Sequence, residues 1–162
     1  MAERTEIGVT KGQVHEALIE ALGGKTDHLT RQSLVERKEV IAGFSVKHED
    51  AGGRVSGGVV VDGLAEMGQE ASRGATSIEF LSDEFCTTVD VNALVLLRTP
   101  RGTQLLFVAP ESVSFAVPLS VGTEAVQVVS AGTVIAQELY GKSPKDPFHV
   151  NDRMQGTIVA VT

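Results

Sequence analysis

The sequence predicts a mainly β protein: an antiparallel sandwich or barrel of about eight to nine strands, preceded by one N-terminal α-helix over residues 11–22. Three observations carry that expectation. Apolar residues alternate with polar ones in short runs from residue 39 to the end of the chain, at spacings near ten residues. The runs are separated by Gly, Pro, Asn and Asp, with no helical period between them. Only the segment before residue 23 shows an apolar stripe at three and four.

The helix is the most fully specified element. Thr10 and Gln13 have the spacing of a reciprocal capping box, and Val9 and Val14 that of a hydrophobic staple. Val14, Ala17, Leu18, Ala21 and Leu22 then share one face, and Gly23-Gly24 supplies a residue able to end the helix in the left-handed conformation. Residues 25–38 are less defined. Asp27 is a candidate cap and Leu29, Leu34 and Val35 are the apolar residues, so a short helix and an extended arm both fit.

From residue 39 the period becomes two. Val40, Ala42, Phe44, Val46 and His48 share one parity, "EDAGG" reads as a loop, and Val55, Gly57, Val59 and Val61 resume the alternation, which predicts a β-hairpin. The polar, Gly-rich "DGLAEMGQEASRGA" reads as a long loop or one irregular helical turn, with a strand at 76–81 after it. Residues 86–98 and 103–109 read as a second hairpin turned by "TPRG". Runs 112–117, 124–129, 133–140 and 155–161 complete the set. The chain is expected to be a single globular unit, with an arm at 1–10, a helical or irregular segment at 11–38 and a β domain at 39–162. Stretches such as "ALVLL" and "LLFVA" are apolar on both faces, so each needs cover from a second sheet, from the helix or from another subunit.

Composition narrows the function classes. The chain of 162 residues is 42% hydrophobic and 22% charged, as ordinary globular domains are. Its net charge of −7, with 14 Lys and Arg scattered along the chain, offers no patch for releasing counterions from nucleic acid. Aromatic residues at 4% leave few platforms for stacking sugars or bases. A single cysteine excludes an intrachain disulfide, and "MAERTEIGVT" lacks the apolar core of a signal peptide, which together lead to a cytoplasmic expectation. No apolar run approaches the roughly 20 residues that cross a bilayer.

The densest reactive cluster is "KDPFHVNDRM", with Asp146, His149 and Asp152 three apart. Carboxylates and imidazole suit a divalent ion or an acid–base pair, so these three are the weak metal candidates. In an extended or turn conformation, however, side chains at that spacing rarely converge, and Pro147 restricts the backbone between them. The cluster reads better as a connection between strands 133–140 and 155–161, with Asp146 and Asp152 serving turns. His48 and Glu49, at a hairpin end, join His149 and Asp152 as weak catalytic candidates in a composite site. Cys86 lies in "DEFCTT" with no base nearby in sequence and reads as an inert thiol. His15, near the edge of the helix stripe, and His28 read as surface or helix-end residues. "GGRVSGG" precedes a strand and lacks the Lys-Ser/Thr of a phosphate loop. No cofactor is expected.

The resulting expectation is a non-enzymatic structural or assembly protein, of the kind found in virions, that associates with itself or a protein partner through the N-terminal arm and helix and the apolar strand faces. The alternative is a small β-barrel enzyme or ligand binder whose polar cavity holds His149 and Asp152.

Overall fold

The structure, a computed structural model, describes residues 7–44, 51–113 and 118–162. It corrects the all-β expectation. Two long helices, α1 (Lys11–Phe44) and α2 (Ala51–Glu79), precede an open, mixed six-stranded sheet: β1 (Leu94–Thr99), β2 (Gly102–Ala109), β3 (Leu119–Val121), β4 (Glu124–Ser130), β5 (Pro147–Asn151) and β6 (Met154–Val161). A short helix, α3 (Val134–Leu139), stands between β4 and β5. The architecture is roughly α/β, with neither a sandwich nor a closed barrel among the described residues.

Helix α1 starts as the sequence specifies. The Thr10 amide donates to Gln13 Oε1 at 3.0 Å and the Gln13 amide to Thr10 Oγ1 at 3.3 Å, closing the capping box. Val14, Leu18 and Leu22 are fully buried. The helix does not stop at Gly23-Gly24, however, but runs 34 residues. Both glycines keep helical geometry, because packing against α2 outweighs the roughly 1 kcal/mol that each costs in a helix interior.

The hairpin expected at 40–61 and the loop or single helical turn expected at 62–75 are also corrected: residues 39–44 continue α1, and α2 takes 51–79, including 76–79 of the strand expected at 76–81, whose last two residues are turn and coil. Residues 45–50 lie outside the described residues. The signal missed in α2 is the buried row Gly68, Ala71, Gly74 and Ile78, at spacings of three and four. Three of its four members are Gly or Ala, so composition reads as loop, while on a helix they form a flat strip for close approach to a neighbour. A Cβ added at Gly74 would sit 3.3 Å from the Ser112 carbonyl oxygen and 3.5 Å from Leu22 Cδ1.

The sheet order is β3-β4-β2-β1-β6-β5. The hairpin β1–β2 turns at Pro100-Arg101, and Gly102 has a φ of 115°, as the expected "TPRG" turn requires. β2 and β4 pair in parallel, so the chain leaving β2 crosses to the far edge, forms β3 and returns antiparallel into β4. Of the strand expected at 112–117, residues 114–117 lie outside the described residues and 112–113 are turn and coil. The strand expected over 86–98 begins only at Leu94, since residues 86–93 are coil, bend and turn.

Alternation along the strands feeds two cores. Leu94, Leu105, Phe107, Ala109, Val126 and Val128 point to one face, covered by Val14, Leu18 and Leu22 of α1 with Ala71 and Ile78 of α2. Val95, Leu97, Leu106, Val108 and Ile158 point to the other, covered by Ala136 and Leu139 of α3. The two-faced strands are therefore covered within one chain, by helices on both sides. Ile158 and Val161 share a face despite their odd spacing because the β1–β6 register shifts between Leu96 and Leu97, the local signature of a bulge.

Residues 133–140, expected as a strand, form α3. Thr133 caps it, accepting from the Ala136 amide at 3.4 Å, and the buried Ala136 and Leu139 lie three apart on its inner face. Residues 147–151, expected as part of a connection, form the edge strand β5. That edge is covered by one ion pair. Lys142 Nζ lies 2.5 Å from Glu138 Oε1 and donates to the Pro147 carbonyl at 3.0 Å, while Glu138 Oε1 accepts from the His149 amide at 3.2 Å. Two side chains thus take two of the hydrogen bonds that a seventh strand would make.

Candidate interaction surface

The residues singled out in "KDPFHVNDRM" do not converge. Asp146, half-buried, accepts from the Ser143 amide at 2.8 Å and organises the turn before β5. His149 is exposed on β5, and Asp152 is exposed in the β5–β6 turn. That second turn is organised by Asn151, whose Oδ1 accepts from the amides of Arg153 and Met154, both at 3.0 Å. Among the described residues no three His, Cys, Asp or Glu side chains form a group able to hold a metal ion. His149 lines a shallow concavity of about 720 Å³ with Arg98, Phe148 and Gln155, which Asp152 does not reach. With the sheet open, there is no barrel interior to hold the cavity proposed for His149 and Asp152. His48 and Glu49 lie outside the described residues.

The structure instead concentrates polar chemistry where the helices meet the sheet, along residues 80–93. This segment has almost no regular structure, and its order comes from side chains on α1. Lys11, only 4% exposed, donates from Nζ to the Glu84 carbonyl at 2.5 Å and to Cys86 Sγ at 3.1 Å. His15, 7% exposed, lies 2.7 Å from Asn92 Oδ1 through Nε2 and 3.3 Å from Asp83 Oδ1 through Nδ1. Its ring meets Phe107 edge-on at 5.6 Å. Asn92 donates from Nδ2 to the Ser82 carbonyl at 2.6 Å, which fixes Oδ1 as the acceptor facing His15. Its backbone, at a φ of 73°, adopts the left-handed region that Asn tolerates better than most residues. Further along, the Val89 amide donates to the Lys142 carbonyl and the Gly141 amide to the Val89 carbonyl, both at 2.8 Å.

Sequence reasoning missed this junction. His15 was expected at the surface and Cys86 without a base nearby, yet His15 is buried and an amine from 75 positions earlier in the chain touches the Cys86 sulfur. The available signal was position: Lys11 and His15 fall four apart, in line with Leu18 and Leu22 on the buried side of α1. A buried Lys and His there require polar partners, which only the tertiary structure supplies.

On this tethered backbone two aromatic rings face outward. Phe80 is 84% exposed and Phe85 is 78% exposed, in a chain with only six Phe, one Tyr and no Trp. Phe85 also walls a groove of about 510 Å³ whose other sides are Ile7, Val9, Asp83, Ala160 and Val161. Exposed rings are unfavourable in water and are the commonest anchors of protein interfaces. Because the end of α2 holds Phe80 and side-chain hydrogen bonds order the backbone around Phe85, docking the two rings would add little further ordering cost.

Comparison with known proteins yields little. No family model matches the chain, and no curated protein matches it. Among solved structures it is similar to one described as the transcription factor Gfh1, at 12% identity over 90% of this chain and 93% of that chain, with a TM-score of 0.38. It is also similar to the GreA factor homolog 1 (Gfh1) protein of Thermus thermophilus, at 14% identity over 91% and 94% of the two chains and a TM-score of 0.34. For Thermus aquaticus Gfh1 the identity is 13% over 83% and 92%, with a TM-score of 0.33. Likeness at this level says nothing about what the chain does.

Proposed function

We propose that this chain is a non-enzymatic assembly protein that works by docking onto another protein through the segment that carries Phe80 and Phe85. The observation that carries the reading is the pairing of opposites on one short segment: a backbone tied down by Lys11, His15 and Asn92, and two phenyl rings left in solvent. Burying one phenyl side chain contributes about 1.5–3 kcal/mol, so two anchors of this kind suffice to dominate an interface.

The test is photo-cross-linking in the cells that make the protein, with benzoylphenylalanine placed at 80, at 85 and, as a control, at the exposed Val134 on α3. Protein adducts are expected from positions 80 and 85 and not from 134. Equal adducts at all three positions, or none at 80 and 85, would end the docking reading.

A further inference from the structure

The two rings are set in a border of one charge. Glu79, Asp83, Glu84 and Asp90 are all exposed, and residues 79–93 contain no Lys or Arg. Among the described residues, the Lys11 ammonium that reaches this segment is buried and directed at the Glu84 carbonyl and Cys86. His15, the other basic group there, is buried against Asp83, Asn92 and Phe107. The segment that carries Phe80 and Phe85 is therefore flanked by exposed carboxylates and has no lysine or arginine of its own.

From this we infer that the partner is a different protein, with an apolar pocket bordered by Lys and Arg, into which Phe80 and Phe85 insert. The inference rests on the docking reading above and adds the partner's chemistry. A second copy of this chain is disfavoured on the same ground. Two such faces would bring acid against acid, between molecules that each carry a net charge of −7. A basic border would instead bring the partners together faster at low salt and fix their register.

The experiment extends the cross-linking, with benzoylphenylalanine at 85 and substitutions at Glu79 and Glu84, whose side chains make no hydrogen bond or ion pair found at the junction. Glu79→Gln/Glu84→Gln should lower the adduct yield several-fold. Glu79→Lys/Glu84→Lys should lower it further, and added sodium chloride should weaken the parent but hardly affect the neutralised variant. The cross-linked partner peptides should carry Lys or Arg beside apolar residues. Circular dichroism of each variant checks that the fold is kept, and the single variants serve if a double variant loses it. A yield indifferent to both charge changes and to salt overturns the inference and leaves docking standing; so does an adduct with a second copy of this chain. Absence of any adduct at 85 removes both.

Discussion

Asn92 is the residue on which the tethered segment turns, and replacing it tests the junction directly. Its side chain spans two elements, accepting at Oδ1 from His15 on α1 and donating at Nδ2 to the Ser82 carbonyl, while its own backbone holds a φ of 73°. Asn92→Gly keeps the backbone conformation and removes both hydrogen bonds, each worth about 1 kcal/mol net, and leaves a buried His15 nitrogen without that partner. The expected loss is about 2–3 kcal/mol. Asn92→Ala removes the same bonds and also places a Cβ in the left-handed region, which costs roughly 1–2 kcal/mol more. Urea unfolding of the three proteins, read at constant slope, gives both numbers. Limited proteolysis in the native state should show new cleavage within 80–88 in both variants, and cross-linking from position 85 should fall with it. If both variants lose less than about 0.5 kcal/mol, or if alanine is tolerated better than glycine, Asn92 is not the tie described here.

Other positions give independent checks. Gly23→Ala and Gly24→Ala place a Cβ in open space on an exposed helix face, so each should raise stability by up to about 1 kcal/mol, measurable as a higher melting temperature. Gly156→Ala should be severely destabilising, by more than about 3 kcal/mol in urea, because its Cβ would lie 1.8 Å from the Arg98 carbonyl oxygen, where strand pairing leaves the backbone little room to move. The hydrogen bond from Lys142 and that from the His149 amide hold the Glu138 carboxyl below its usual 4.5. Its contribution to stability is therefore present in full above about pH 4.5 and is lost as the pH falls through its lower folded value. Glu138→Gln should flatten that acid limb of the stability profile without changing its sign elsewhere.

What the sequence made legible was set by range. The capping box of Thr10 and Gln13, the buried stripe of Val14, Leu18 and Leu22, and the "TPRG" turn are local arrangements, and their residues state them outright. The errors arise where a partner element decides. Residues 39–44 and 51–61, rich in valine and glycine, prefer strand in isolation and form helix here, where α1 and α2 pack on each other. "TVIAQELY" alternates well enough to pass for a strand, but Ala136 and Leu139 are buried together at helical spacing. Counting strands by turn residues then carried the fold to a sandwich, when the covering layers are helices. The junction was hidden for the same reason. Lys11 and Cys86, or His15 and Asn92, are meaningless as sequence neighbours, and their relation appears only once α1 lies against the segment before β1. The edge clip of Glu138 and Lys142 was the more accessible of the missed features, being four residues apart, but only a helical reading of 133–140 brings the two together.

The two covered faces of the sheet also imply an order of events in folding. On one face α3 follows β4 and precedes β5 directly, so its Ala136 and Leu139 can find Phe148 and Val108 soon after the strands pair. On the other, Leu18 and Leu22 must reach Phe107 and Val128 across the whole helical hairpin and the junction segment. Closing the longer loop costs more chain entropy and is repaid only when both α1 and the strands are already formed. The α3 side should therefore consolidate first, and the docking of α1 and α2 should be the slow step, seen in stopped-flow refolding as late protection of Leu18 and Leu22 amides after those of β2 and β4. Until that step completes, Phe107 and its neighbours lie open on one side, and the refolding chain passes through a state that is half core and half bare sheet.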